Sequence, residues 1–169
     1  MAKFEFKTII NNFMSQKRAL NFLKENAVYV GIPEDTSNRD GQEVTNAQLL
    51  YIHTNGSKIN HIPARPVIEP AIEDGRDFII TQIGLSAQAA YSGDFEKAIN
   101  YLHKAGLEGV RVSRGWFVNP KNNWQPNSIA VENAKRRKGS TNPRPLIDTG
   151  ELKKSITYFV DAKGVRQTK

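Results

Sequence analysis

Cysteine is absent from the 169-residue chain, methionine occurs twice and histidine only three times. The first absence excludes disulfides and thiolate-held metals, and it fits a reducing compartment. The histidines form no helical metal pair: His53 and His61 are separated by Gly56 and a turn-rich stretch, His103 stands alone, and there is no H-E-x-x-H. No serine sits in a G-x-S-x-G turn, and there is no Walker-type phosphate loop. No run approaches the ~20 apolar residues that span a bilayer. The opening Met-Ala-Lys-Phe-Glu-Phe-Lys is too charged for a signal peptide. Together these absences lead to the expectation of a non-enzymatic protein with no metal, cofactor or membrane partner, made in the cytoplasm.

Positive charge, by contrast, is in surplus: 24 basic against 17 acidic residues give +7. Such a balance favours phosphate-rich or acidic partners, and equally serves solubility. The length suits one domain, residues 1–169, in which roughly 70% of the unfolded chain's surface is buried on folding.

Periodicity then organises the chain. From Lys7 to Glu25, Ile9, Ile10, Phe13, Leu20 and Leu23 recur at helical spacing. Ala27–Ile32 is a β-branched run stopped by Pro33, hence a strand. Residues 34–44 are almost wholly polar and predict a mobile loop. Thr45 or Asn46 is placed to cap a short helix that Gly56 ends. Pro63, Pro66 and Pro70 predict an extended loop over residues 55–70, because proline fixes φ and restricts its predecessor. Ile72, Ile79, Ile83, Ala87 and Ala90 predict a helix from Glu69 to Tyr91, and a second opens at Asp94 and runs towards Arg114. The segment 115–127 mixes Trp116, Phe117 and Trp124 with turn formers and has no clear period. Ser155–Val160 alternates as a strand does, and residues 161–169 predict a frayed tail. The expected fold is α+β: a small antiparallel sheet containing Ala27–Ile32 and Ser155–Val160, packed by several helices.

Three local patterns bear on function. Asp148, Thr149 and Gly150 precede a short helix, with Glu151 at capping-box spacing from Asp148. Lys135, Arg136, Arg137 and Lys138 form a basic run that fits DNA phosphates, with Trp124 near enough in sequence to stack on bases; it fits a solvated helix end as well. Glu69, Glu73 and Asp74, with His53, are the only set that suggests a metal-dependent nuclease, although acidic residues at a helix start also complement its dipole.

Two phrases carry a resemblance. Pro145-Leu-Ile-Asp-Thr-Gly-Glu-Leu-Lys-Lys-Ser-Ile-Thr-Tyr158 is the later of them. Earlier come Val30-Gly-Ile-Pro33, Thr45-Asn-Ala-Gln-Leu-Leu-Tyr-Ile-His53, Ile62-Pro-Ala-Arg-Pro66 and Glu69-Pro-Ala-Ile72. In this order they resemble tail-completion and neck (head–tail joining) proteins of tailed bacteriophages. The chain departs from that pattern at Thr54 and Asn55, where an acidic and an aromatic residue are common.

The resemblance implies a structural virion protein, made in the host cytoplasm, that sits at the neck or top of the tail as a hexameric ring around the DNA path. Its partners would be copies of itself, the connector, head-closure, tail-terminator or tail-tube proteins, and the DNA in the channel. Tail terminator or head-closure protein is the alternative within the same neck, and a nucleic-acid-binding protein using Lys135–Lys138 the alternative outside it. The resemblance further implies that residues 55–70 form an arm to the neighbouring subunit, with His53, Gly56, Pro63, Arg65 and Pro66 at the interface. Arg65 offers a planar charged fork for a carboxylate on that neighbour.

Overall fold

A computed structural model describes residues 2–39, 41, 43–162 and 165–167, with side chains described outside residues 2–10, 12, 36, 162, 165 and 167. The fold is α+β. The helices are α1 (Ala2–Glu25), α2 (Asn46–Asn55), α3 (Ile68–Asp74), α4 (Arg76–Tyr91), α5 (Phe95–Trp116), α6 (Ile129–Arg137) and α7 (Glu151–Ser155). The strands β1 (Asn26–Gly31), β2 (Thr157–Ala162) and β3 (Val165–Gln167) form one sheet in the order β1-β2-β3. Strands β2 and β3 are antiparallel, with Val160 opposite Gln167 and Asp161 opposite Arg166. The tail expected to fray from residue 161 is therefore paired through residue 167, apart from positions 163, 164, 168 and 169, which lie outside the described residues. Pairing backbone N–H and C=O groups across β2 and β3 supplies an order that side-chain hydrophobicity alone did not signal.

The chain divides into two compact units. One comprises the chain up to Tyr29, Arg76–Glu108 and the chain from Tyr158 onward; the other comprises Val30–Gly75 and Gly109–Thr157. In the first, Asp94 opens α5 by accepting the Lys97 N–H at 3.0 Å, and the buried Ser86 hydroxyl on α4 donates to the Ala98 carbonyl at 2.8 Å. Ala98, Leu102 and Ala105 give α5 a buried stripe, while Tyr158 and Val160 are buried from β2. Half-buried Phe159 stacks on Tyr29 at 5.0 Å, so the alternation expected for this strand is present.

The first helix departs from its pattern. Ala19 and Phe22 are the buried residues among its described side chains, and Phe22 packs on Phe95 with ring centres 5.5 Å apart. Phe13 and Leu20, expected inside, are 63% and 67% exposed, and Met14 and Leu23 are exposed as well. The side chains of Ile9 and Ile10 lie outside the described residues. At 100° per residue, Phe13 and Leu20 project from the face opposite Phe22, so among its described side chains α1 is apolar on two sides, of which the Phe22 side is covered. Helix α4 is inverted in a similar way: Gln82, Ser86 and Ala89 are buried, whereas Phe78, Ile80 and Ile83 are exposed.

The second unit is built on Leu50, Val67, Ala71, Trp116, Phe117, Leu152 and Ile156. Phe117 and Trp124 meet edge to face at 5.9 Å, and the Trp124 indole N–H donates to the Pro66 carbonyl at 3.1 Å. The unperiodic segment 115–127 is thus core and its wrapping, with a 3-10 turn at Pro120–Asn122 opened by the Asn119 side chain. Burying large apolar side chains such as these stabilises the fold by about 1.5–3 kcal/mol each. Arg114 adds a polar brace by donating to the carbonyls of Lys154 and Ile156 at 2.8–3.1 Å.

Three further expectations are corrected. The helix predicted from Glu69 to Tyr91 breaks at Gly75, where an added Cβ would stand 2.6 Å from Val112 Cγ1. Pro70 lies inside α3 rather than in a loop, because a first-turn residue needs no intrahelical N–H partner. The polar stretch 34–44 holds a 3-10 turn at Glu34–Thr36 and a fully buried Ser37, whose carbonyl accepts the Asn46 N–H at 2.8 Å; residues 40 and 42 lie outside the described residues.

A paired glycine test follows from the packing. A Cβ on Gly106 would overlap the buried Tyr158 ring, with Cγ at 2.7 Å, whereas Gly84 has open space around it. Gly106→Ala should lower the melting temperature, since overpacking costs about 1–3 kcal/mol and outweighs the helix-propensity gain. Gly84→Ala should raise stability by up to about 1 kcal/mol. Calorimetry of both variants checks the pair.

Candidate functional site

Helix α2 positions the site. Its start is a capping box: the Thr45 hydroxyl accepts the Gln48 N–H and the Gln48 side chain accepts the Thr45 N–H, both at 3.2 Å. This fixes Asn46, which is buried and donates to the Ser155 hydroxyl at 2.8 Å. At the other end the Gly56 N–H closes on the Ile52 carbonyl at 2.7 Å, with φ at 72°. A Cβ there would meet Ala64 N and Ile62 O at 2.8 Å, both backbone atoms, so only glycine fits.

The segment expected to be an arm folds back on its own unit. Ser57 and Ile62 exchange two backbone hydrogen bonds of 2.8 Å, and the Arg65 N–H donates to the His53 carbonyl at 2.6 Å. Arg65 is 7% exposed, and its guanidinium donates to the Gln125 carbonyl at 2.9 and 3.3 Å and to that of Pro126 at 3.4 Å. The outward fork expected of Arg65 is therefore corrected. A rigid planar donor set meets two carbonyls within its own unit.

The expected cap at Asp148 is also replaced. Gly150, with φ 78°, occupies the N-cap position of α7, and Thr149 Oγ1 alone accepts the Glu151 N–H, at 3.3 Å. The left-handed glycine turns the chain so that the Asp148 carboxylate lies 3.3 Å from Lys138 Nζ. In the basic run, Lys135 Nζ donates to the carbonyls of Arg144 and Ile147 at 2.7 and 2.5 Å, so it ties down the 144–147 segment. Arg136 and Arg137 are exposed. Trp124 is engaged with Phe117 and Pro66 rather than presented to a base.

A cavity of about 520 Å³ lies in this second unit. His53, Pro63, Arg65, Lys135 and the Asp148–Gly150 turn, predicted from three separate phrases, all line it; Gly56, Pro66, Arg136, Arg137 and Lys138 do not. Arg39, Asn46 and Asn127 line it too; Arg39 stands in a polar stretch without period, and Asn46 stood out only as a candidate helix cap, so nothing in the sequence brought the three to one site. Burial, and then the neighbouring Arg65, hold the His53 imidazole below its ordinary range. Burial lowers Lys135 as well; Asp148 opposes this, and Arg65 and Lys138 add to it. The Arg65 guanidinium is lowered by burial.

The carboxylates considered for nuclease chemistry are placed differently. Asp74 accepts from Lys121 and Asn119, and its carboxyl is held below the usual range first by the Lys121 hydrogen bond. Glu69 and Glu73 are exposed on α3. Among the described residues no three His, Asp or Glu side chains are grouped to hold a metal, and no helix is long and apolar enough to cross a membrane. Comparison with protein-family models, curated proteins and solved structures finds no match for the chain.

Two outcomes follow. Because the folded state disfavours charged His53, the unfolded chain takes up its proton first as pH falls below about 6.5. Stability should therefore decline from there downward, and His53→Gln should flatten that part of a urea-midpoint profile. Arg65→Ala leaves the carbonyls of Gln125 and Pro126 without donors and should destabilise the fold by about 2 kcal/mol or more, as read by urea unfolding.

Proposed function

We propose that the chain is a structural subunit of a tailed-bacteriophage neck, a tail-completion or head–tail joining protein. In this reading it acts by assembling as a ring, sixfold in the first instance, around the DNA path. The observation that carries the reading is the apolar surface left uncovered on α1 and α4. Phe13, Met14, Leu20, Leu23, Phe78, Ile80 and Ile83 are all exposed in one small unit. Soluble monomers rarely leave large contiguous apolar patches in water, and such surfaces mark docking to other proteins. A cyclic ring needs two different patches, each meeting the other on the neighbour, and apolar helix faces suit that role.

The ordered sequence phrases from Val30 to Ile72 and from Pro145 to Tyr158 direct this general assembly role to the phage neck. The +7 charge is compatible with a DNA path and with acidic neighbours. Tail-terminator and head-closure roles share these features and stand as alternatives within the same neck. The exposed Arg136 and Arg137 favour a second reading as a nucleic-acid-binding protein, which predicts DNA affinity that falls steeply with salt.

A surface variant tests the proposal. Phe13→Ser combined with Leu20→Ser should leave melting within about 1 kcal/mol of wild type, as expected of exposed positions. In an amber-mutant phage complemented with this variant, electron microscopy should show filled heads and tails that fail to join. Normal particles at normal titre would overturn the reading.

A further inference from the structure

Buried polar atoms without hydrogen-bond partners gather at the cavity of the second unit. Four such atoms, Arg39 Nε, Asn46 Oδ1, His53 Nδ1 and Asn127 Nδ2, belong to residues that line it, while the remainder are scattered over Gln82, Ser113, Trp116 and Asp161. Native interiors satisfy nearly all their polar groups, through protein, water or ligand, so this cavity is where an occupant would find the most open hydrogen-bonding positions. Charge points the same way. Arg39, Arg65 and Lys135 face the carboxylates of Asp148 and Glu151, and Asp148 is already paired with Lys138.

Glu151 shows what the site lacks. Its carboxylate stands 4.0 Å from Arg39 Nε, beyond hydrogen-bond reach, and 3.4 Å from Asn46 Nδ2. Both side chains of the Arg39–Glu151 pair are partly exposed, at 24% and 47%, so the pair forms an edge that can part. An incoming carboxylate completes the bond to Arg39 that Glu151 does not make, and it relieves the crowding of Lys135 by Arg65.

The chemistry narrows the occupant. Arg39 and Asn127 supply donors and need acceptor oxygens, whereas Asn46 Oδ1 needs an N–H. Phosphate dianion offers no donor. Leu49, Ile62, Val131 and Leu146 add apolar wall, and the volume is far larger than one inorganic anion fills. Among the described lining residues there is no Phe, Tyr or Trp on which a nucleobase would stack. We infer that this cavity is a receptor for an acidic peptide segment, whose carboxylate engages Arg39 and Lys135 while its backbone N–H meets Asn46. This assignment stands on the chemistry of the cavity and not on the neck reading.

Titration of the full chain by ¹⁵N–¹H NMR tests it, with Ac-Leu-Asp-Glu-Leu-NH₂ as probe and Ac-Leu-Asn-Gln-Leu-NH₂, AMP and inorganic phosphate as comparisons. The acidic peptide should shift the signals of Asn46 and Asn127 saturably and bind at least about tenfold more tightly than its amide counterpart, the scale of one charge-assisted bond. Arg39→Gln and Asn127→Ala should each weaken it, the former about tenfold, while Arg136→Gln outside the cavity changes affinity less than about twofold. Melting curves confirm that the variants are folded. Preference for AMP or phosphate, equal binding of the two peptides, shifts confined to other surfaces, or no saturable shift from any probe, as for a cavity holding only water, would each overturn the assignment.

Discussion

The guanidinium of Arg65 is the interaction on which the second unit depends. It draws the carbonyls of Gln125 and Pro126 to one side chain, and its own backbone N–H latches to the end of α2 at His53. That bridge, with the Trp124–Pro66 hydrogen bond beside it, anchors the Ser57–Ile62 hairpin, the wrapping segment of Trp124 and the wall of the cavity to one another. A buried arginine is tolerated only where carbonyls or carboxylates take up its N–H groups. The cost of desolvating the charge is offset by those charge-assisted bonds, and the geometry they impose turns a proline-rich stretch into a fixed wall.

A different constraint governs the first unit. Helices α1 and α4 hold more large apolar residues than their packing covers, and α4 buries Gln82 and Ser86 while Ile80 and Ile83 face water. Leaving such side chains exposed forgoes about 1.5–3 kcal/mol apiece that burial would yield. In the proposed role a neighbouring surface would recover it on assembly. The two units thus differ in chemistry: apolar helix faces on one, a cavity lined by charged and polar side chains on the other.

Local signals were legible where they were written in short-range terms. The Thr45 cap, the Gly56 stop and the strand alternation at Ile156, Tyr158 and Val160 all rest on neighbours within a turn or on period-2 burial. What failed depended on distant partners. The direction of Arg65 was set by Gln125, sixty residues away, and the role of Asp148 by Lys138. The apolar stripe of α1 identified a helix correctly but not which side is covered, because periodicity does not distinguish a core face from a docking face. Of the cavity, His53, Lys135 and Thr149 stood out in sequence, whereas the convergence of Arg39, Asn46 and Asn127 is created only by the fold.

The central claim is that the uncovered face of α1 is a surface made to be buried by a neighbour in a finished particle. Hydroxyl-radical footprinting of Phe13, Met14 and Leu20, in the free chain and in purified virions, measures this side chain by side chain. Heavy labelling in the free chain with strong protection in virions is the predicted result. Equal labelling in both states, or absence of the chain from virions, would contradict it.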